Sequence, residues 1–268
     1  MSDKPAIGLK VPFGRLGARM VAPTDSLARG LACGCECPGC GTKLLLRQGK
    51  KRLHFAHYNA PATNRCVELS IHSAAIQVLM EAKFMPLPLL HVEVAKRATD
   101  LTEVQRSHRV REYKIAYFDQ CLAEVTYTDG DFGTIRADVI CYSQGQELLV
   151  EMWYTQAVDA DKIAKIERLG MPAIEIYLGD LDLNNAVAEI EQRVLGSTQY
   201  KQWLFYPGVA DVKARLEAEV DANLAHINER HAKAQEVRHR KKRSWMRSYW
   251  SKCDCIRRQS GRNGKRKQ

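Results

Sequence analysis

Four cysteines lie within residues 33–40, near the beginning of the chain. The spacing of Cys37 and Cys40, with Pro38 and Gly39 between them, lets one tight turn present two thiolates to a tetrahedral metal ion. Histidine and cysteine side chains that can complete such a site follow within residues 54–66. The predicted zinc ligands are Cys37, Cys40, His57 and Cys66. The competing ligands are Cys33, Cys35 and His54. Buried thiols and core histidines without a metal are the alternative interpretation.

Two carboxylates occupy neighbouring apolar segments, Asp138 in residues 136–140 and Glu151 in residues 148–153. Burying a carboxylate costs several kcal/mol unless a metal or a basic group compensates the charge. Two such groups can hold a Mg²⁺ ion that keeps several waters, one of which becomes a nucleophile for a phosphodiester. Glu68 is a candidate third carboxylate. The alternative is a pair of structural acids in salt bridges, for instance Glu151 with Arg136.

The net charge of +10 on 268 residues is unevenly distributed. Residues 230–268 contain 15 Lys or Arg and 2 acids, a net charge of +13, so the rest of the chain carries a net charge of −3. A local basic segment of this kind attracts polyanions, and nucleic acid is the first candidate. A solubilising, disordered tail is the alternative.

Aromatic residues alternate with basic residues within this C-terminal segment. Cations neutralise phosphates while aromatic rings offer faces to unstacked bases, which favours single-stranded or distorted DNA. The predicted nucleic-acid contacts are Arg238, Arg240, Lys241, Lys242, Arg243, Trp245, Arg247 and Trp250. Packing of the aromatic rings on the main domain is the alternative.

The hydrophobic segments and the cysteines of the chain indicate the cellular compartment in which we expect the protein. No stretch approaches the roughly 20 apolar residues that cross a bilayer, and the N-terminus lacks the apolar region of a signal peptide. We therefore expect a cytoplasmic protein, in which nine cysteines indicate metal ligands or core thiols before disulfides.

The periodicity of apolar residues predicts an α/β fold, a mixed sheet flanked by helices. Short strands are expected around residues 6–11 and 43–47, and longer ones at 90–95, 112–118, 122–127, 134–142, 147–154 and 173–178. Helices are expected at 67–84, 159–169, 183–194 and 209–245, with the first stopped by the prolines at 86 and 88. The predicted domains are a zinc module (1–66), an α/β domain (67–200) and a helical basic C-terminal arm (201–268).

These motifs together resemble the competence-protein CoiA-like family over roughly residues 15–180. The resemblance rests on Cys37-Pro38-x-Cys40, the His-Phe-Ala-His block at 54–57, Cys66 with Glu68 and His72, and Arg136-x-Asp138 followed by Glu151. That family is similar to PD-(D/E)xK nucleases preceded by a zinc-finger-like segment. The resemblance implies a restriction-endonuclease-like core. It also implies that Asp138 and Glu151 bind the catalytic metal, that Glu68 is the helix acid, and that His72 is its neighbour.

The chain departs from the nuclease motif at one position. The motif lysine, which stabilises the attacking hydroxide and the phosphate charge, would stand two residues after Glu151, where this chain has Trp153. The resemblance implies a lysine from the following helix instead, and we prefer Lys162 to Lys165. Gln156 is a further candidate for orienting water. A solvated helix lysine without a catalytic role is the alternative.

We therefore expect a metal-dependent DNA nuclease or DNA-processing protein linked to DNA uptake or recombination. Its expected cofactors are structural Zn²⁺ and catalytic Mg²⁺ or Mn²⁺, and its expected partner is DNA, single- or double-stranded. A catalytically inactive DNA-binding scaffold with the same fold is the alternative, and RNA is an alternative substrate. The sequence does not determine the oligomeric state.

Overall fold

The chain folds into two compact units. The computed structural model describes residues 10–49, 52–129 and 133–263, with side chains to residue 250 except at position 129. The described parts of Met1–Leu90 and Arg109–Val209 form one unit, and those of His91–His108 and Ala210–Gln268 form the other. None of the described helices is long and apolar enough to cross a membrane.

Thirteen strands and four α-helices make up the described chain. The strands are β1 (Gly14–Leu16), β2 (Arg19–Val21), β3 (Leu44–Gln48), β4 (Leu53–His57), β5 (Phe84–Leu87), β6 (Leu90–Arg97), β7 (Glu103–Arg111), β8 (Lys114–Tyr117), β9 (Gln120–Asp129), β10 (Gly133–Ser143), β11 (Gln146–Trp153), β12 (Ala173–Tyr177) and β13 (Lys201–Phe205). The helices are α1 (Asn64–Ala82), α2 (Ala160–Leu169), α3 (Ala186–Glu191) and α4 (Val209–Asn263).

A five-stranded mixed sheet in the order β13-β12-β11-β10-β9 forms the centre of the first unit. β11 and β12 pair in parallel, and the other neighbours pair antiparallel. The α/β class with a mixed sheet is thus confirmed. The β10–β11 turn contains Gln144 and Gly145 with φ of 51° and 77°, a left-handed pair that suits a two-residue hairpin.

Helices cover both faces of this sheet. Val139 and Val150 share a buried cluster with α1 residues such as Ile71, whereas Ile140 shares another cluster with Ile166 of α2. Successive residues of a strand point to opposite faces, so β10 and β11 are apolar on both sides. This explains why their sequence reads as a nearly continuous apolar run rather than a strict alternation.

A small N-terminal module precedes α1. Its described residues contain the antiparallel pairs β1–β2 and β3–β4 and a 3₁₀ turn at Leu31–Cys33. Its core surrounds Phe55. Phe55 and Leu44 are fully buried in this core, and Cys35 and Cys37 are buried in the same cluster. Of the predicted strand around residues 6–11, Val11 forms an isolated bridge with Phe55, and residues 6–9 lie outside the described residues.

Two segments of this unit differ from the predicted elements. α1 ends at Lys83, whose φ of 54° is left-handed, and residues 84–87 continue directly as β5, which includes Pro86. β5 pairs with β8 alone, and a proline is tolerated in such an edge strand because its missing N–H faces away from the ladder. Residues 201–205, predicted to belong to the arm, form β13 at the sheet edge, because their aromatic residues pack on the sheet.

The second unit combines the β6–β7 hairpin with α4. Lys96 of the hairpin forms an ion pair of 2.6 Å with Asp221 of α4. The backbone amide of Thr99, in the hairpin turn, donates to Asn228 Oδ1 at 2.7 Å, and Thr99 Oγ1 lies 2.9 Å from His231 Nδ1. Strand β7 was not predicted, since most of its side chains are polar and exposed. α4 continues to Asn263, beyond the predicted end at residue 245.

Candidate functional site

A tight backbone turn presents Cys37 and Cys40 together. The Gly41 amide donates to the Cys37 carbonyl, and the Cys37 amide donates to the Thr42 carbonyl, both at 2.8 Å. Gly41 is left-handed, with φ of 71°. A Cβ at Gly39 would lie only 3.0 Å from the Cα of Cys66, closer than an ordinary van der Waals contact. The turn therefore lies directly against the beginning of α1.

Four ligand atoms from three separate segments meet at this turn. The ligand atoms of Cys37, Cys40, His57 and Cys66 all lie within 4.8 Å of one another. Cys40 Sγ and His57 Nε2 are 3.8 Å apart, close to the roughly 3.6 Å between sulfur and nitrogen ligands around tetrahedral zinc. The cluster could hold a metal ion such as zinc, and it comprises the four residues predicted as ligands.

The surroundings of His57 prepare its Nε2 for ligation. His57 Nδ1 lies 3.1 Å from the carbonyl oxygen of Pro61, which accepts hydrogen bonds but cannot donate. The proton must therefore be on Nδ1, which leaves the lone pair of Nε2 facing the thiols, the usual arrangement of a metal-bound histidine. Burial raises the pKa of the Cys37 thiol to about 12, so a cation is needed to hold that sulfur as the thiolate ligand.

The competing ligands lie elsewhere in the N-terminal module. The Cys33 thiol donates to the Leu44 carbonyl and the Cys35 thiol donates to the Cys33 carbonyl, both at 3.4 Å. Both cysteines are core thiols, buried at 5% and 2% exposure. His54 lines a different cavity with Lys10 and Arg52. Burial, reinforced by the charge of Lys10, lowers the pKa of His54.

The two acids of the candidate catalytic site lie where β10 and β11 separate. The ladder between these strands runs from Ser143 and Gln146 to Val139 and Val150, and Asp138 and Glu151 come one residue beyond its last pair. The Met152 amide donates to Asp138 Oδ2 at 2.7 Å in place of a ladder bond. The opening of the strands thus leaves both carboxylates available to side chains from the flanking helices.

Asp138 is held in its ionised form by α1. His72 Nε2 lies 3.0 Å from Asp138 Oδ2. Burial favours the neutral acid, but the hydrogen bond and charge of His72, together with the Met152 amide, outweigh it and lower the pKa of Asp138. The pKa of His72 is raised in turn, because the contact with Asp138 outweighs the burial of the imidazole.

Glu151 is paired with the predicted lysine of α2. Lys162 Nζ contacts Glu151 Oε2 at 2.5 Å, and the side chain of Glu151 is 5% exposed. Burial, together with the charge of Asp138, raises the pKa of Glu151 to about 7 although Lys162 opposes the shift. Its second oxygen, Oε1, is buried without a hydrogen-bond partner among the described residues. A buried carboxylate oxygen in this state is suited to a cation.

The other basic residues considered for this site pair elsewhere. Lys165 forms an ion pair with Asp161 at 2.7 Å on the surface of α2. Arg136 forms an ion pair with Glu124 at 2.6 Å rather than with Glu151. Of the two candidate lysines, Lys162 is therefore the one that reaches the acids.

α1 contributes a second contact one turn before His72. Thr155, which follows β11, donates to Glu68 Oε1, so Glu68 reaches the segment after Glu151 rather than either acid of the pair. Gln156 is exposed beside Thr155. Among the described residues, Asp138 and Glu151 belong to no group of three or more closely spaced metal-ligand side chains; such a group is found at the cysteine cluster.

A second buried acid, Glu175 of β12, was missed. It is the register partner of Glu151 and is 1% exposed. Its oxygens accept hydrogen bonds from the Val158 amide and from Gln202 Nε2, both at 2.8 Å. Val158 immediately precedes Asp159, which caps α2 by accepting from the Lys162 amide. Glu175 therefore fixes the beginning of the helix that carries Lys162, and a lone glutamate in an otherwise apolar segment was its sequence signal.

The predicted nucleic-acid contacts lie on the distal part of α4. Residues 238–250 are exposed, and Trp245 and Trp250 are 65% and 63% exposed. The ring of Trp245 stacks on Tyr249, with centroids 5.5 Å apart. This stretch of α4 presents both cations and accessible aromatic faces within its own unit.

Known proteins offer no further guide to these sites. Comparison of the chain with protein-family models, with curated proteins and with solved structures finds no match.

Proposed function

We propose that this protein is a metal-dependent DNA nuclease of the PD-(D/E)xK type, similar to the CoiA-like family. The observation that carries the proposal is the contact of Lys162 with Glu151 where β10 and β11 separate, with Asp138 beside them. Two acids on adjacent strands, one of them in contact with a lysine, are groups that metal-dependent phosphodiester hydrolysis can use. The lysine comes from α2, because its usual strand position is occupied by Trp153.

The residues present fit a divalent cation, Mg²⁺ or Mn²⁺, at this position. Glu151 Oε1 is buried without a partner, and the contact with His72 keeps Asp138 ionised. A bound cation would supply an activated water and neutralise phosphate charge. The role of His72 is to hold the Asp138 carboxylate in place. The role of Lys162 is to stabilise negative charge on the phosphate, and that of Glu175 is to position the helix that carries Lys162.

The cysteine cluster is proposed to bind structural zinc. A set of three cysteines and one histidine leaves no open position for substrate and is typical of structural sites. Cys66 lies in the first turn of α1, two residues before Glu68. Zinc at this cluster would therefore fix the beginning of the helix from which His72 contacts Asp138 and Glu68 accepts from Thr155.

The decisive experiment is cleavage of plasmid and single-stranded DNA with Mg²⁺ or Mn²⁺. We expect nicking by the wild type and a loss of at least about 100-fold in Glu151→Gln and Asp138→Asn. Both substitutions preserve shape, so DNA affinity should change little. Glu81→Gln, at an exposed acid of α1, is the matched control and should cleave normally. Cleavage that is unaffected by both substitutions would exclude this site.

A catalytically inactive DNA-binding scaffold is the second candidate. Glu151 is already neutralised by Lys162, and the described acids do not gather a third ligand at this site. If the wild type binds DNA but does not cleave it with any divalent ion, the scaffold replaces the nuclease.

A further inference from the structure

A small aromatic cavity lies next to the candidate catalytic site. Its volume is about 220 Å³, and its walls include Trp153, Tyr177, Tyr200, Gln199 and Gln202. Pockets for whole drug-sized ligands are usually about 300–1,000 Å³. This cavity is therefore the right size for one fragment of a larger substrate, such as a single ring system.

The pairing of β11 with β12 shows where the cavity lies relative to Glu151 and Glu175. Glu151 pairs with Glu175, and Trp153 pairs with Tyr177 in the parallel ladder of β11 and β12. Since alternate residues share a face, the aromatic pair lies on the same face as the acidic pair, two residues closer to the carboxyl ends of both strands. Ligands of open α/β sheets bind beyond those ends.

The aromatic walls are ordered by the protein itself. The rings of Trp153 and Tyr177 are in contact, with centroids 4.6 Å apart. The guanidinium of Arg193 lies over the rings of Tyr177 and Tyr200, 5.7 Å and 4.3 Å from the respective centroids. Arg193 is 3% exposed and anchored by an ion pair of 2.8 Å with Asp180. A ligand stacking here would not need to immobilise these rings, which lowers the cost of binding.

The residues that line the cavity also carry polar groups. Trp153 Nε1 is buried and lacks a hydrogen-bond acceptor among the described residues, which is costly for an indole N–H. Gln199 adds an exposed side-chain amide. The edge of a nucleobase carries acceptors for an N–H donor and complementary groups for an amide.

We propose that this cavity binds one unstacked nucleobase of the strand whose phosphate lies at Asp138 and Glu151. The inference rests on the proposed function for the identity of the polymer. Aromatic walls beside a phosphate site are the features of a stacking platform for single-stranded nucleic acid. The proposal also gives Trp153 a role. Because α2 supplies the lysine, the position on β11 that Trp153 occupies can serve substrate binding.

The test compares full-length protein binding to oligothymidylate and to an oligonucleotide of equal length built from abasic residues, without added Mg²⁺ or Mn²⁺. Wild type should bind oligothymidylate more tightly. Trp153→Leu should lose roughly 10-fold of this preference while binding the abasic strand as wild type does. Trp203→Leu is the matched control, because Trp203 lies in β13 with its indole N–H donating to the Pro88 carbonyl.

Each outcome bears on the cavity separately from catalysis. An equal effect of Trp153→Leu on both strands, or no base-dependent binding by wild type, overturns the proposal. If Trp153→Leu loses the base preference but the wild type never cleaves DNA, the cavity is supported and the nuclease is refuted. If cleavage depends on Glu151 but Trp153→Leu keeps the base preference, the nuclease is supported and the cavity is refuted. If Trp153→Leu lowers the melting temperature strongly, Tyr200→Leu provides the same comparison at another wall of the cavity.

Discussion

Lys162 is the residue on which the proposed chemistry depends most. It replaces the lysine that the nuclease motif places on the strand, and it contacts Glu151 at 2.5 Å. Lys165, three residues later, pairs with Asp161 on the helix surface. The two lysines therefore form a natural comparison of a site lysine with a surface lysine.

We predict that Lys162→Ala lowers the rate of DNA cleavage by about 100-fold or more, because it removes a cation placed at the developing phosphate charge. Lys165→Ala should stay within about twofold of wild type. Single-turnover cleavage at saturating DNA measures both rates. Similar rates for Lys162→Ala and wild type would assign Lys162 a purely structural role.

The pKa of Glu151, raised to about 7, predicts pH-dependent cation binding. Below that pH the free protein holds a proton on Glu151, and a divalent cation favours the ionised form, so binding must release the proton. Affinity for Mn²⁺ should therefore increase from pH 6 to pH 8 and change less steeply in Glu151→Gln. Calorimetry in buffers with different ionisation enthalpies measures the proton released. Proton uptake on binding would contradict the assignment.

The cysteine turn and α1 act together as one structural element. Gly39 lies against Cys66 at the beginning of α1, and the turn contributes Cys37 and Cys40 to the cluster that Cys66 completes. Because the module is small, a metal ion contributes directly to its folding free energy.

We predict that Cys40→Ser reduces the zinc content from about one ion per chain to nearly none and lowers the melting temperature by roughly 5–10 °C. Cys33→Ser is the control, since that thiol donates to the Leu44 carbonyl and a hydroxyl can do the same. Metal analysis and calorimetry give the two readouts. Purified wild-type protein without zinc would remove the prediction.

β13 shows why some elements were missed. Residues 201–205 were predicted to belong to the C-terminal arm, but they form an edge strand of the sheet, where Trp203, Leu204 and Phe205 pack against the core. Sequence reveals that such residues are apolar, whereas hydrogen-bonding to β12 is a long-range pairing that no local pattern encodes. β7 was missed because its side chains are mostly exposed and therefore have little apolar periodicity.

The charge asymmetry of the whole chain concerns its affinity for nucleic acid. Residues 238–268 contain 13 Lys or Arg. If roughly 5 of them contact phosphates, deleting the segment should weaken single-stranded DNA binding and reduce the salt slope by about 3–4. Affinity measured across a salt series tests this prediction. Trp245→Ala with Trp250→Ala, which keeps every charge, should weaken binding without changing the slope.

Residue identity and short spacing were sufficient for the α/β class and for a set of candidate metal ligands, because coordination chemistry and apolar periodicity are local properties. Tertiary structure decided which of several residues of the same type takes part in each site. It turned Cys33 and Cys35 toward backbone carbonyls, and it chose Lys162 over Lys165 for the contact with Glu151. That choice depends on where α2 begins, which is set by the hydrogen bond from the Val158 amide to Glu175. Such a contact joins residues far apart in the chain, and only the packing of the sheet and helix brings them together.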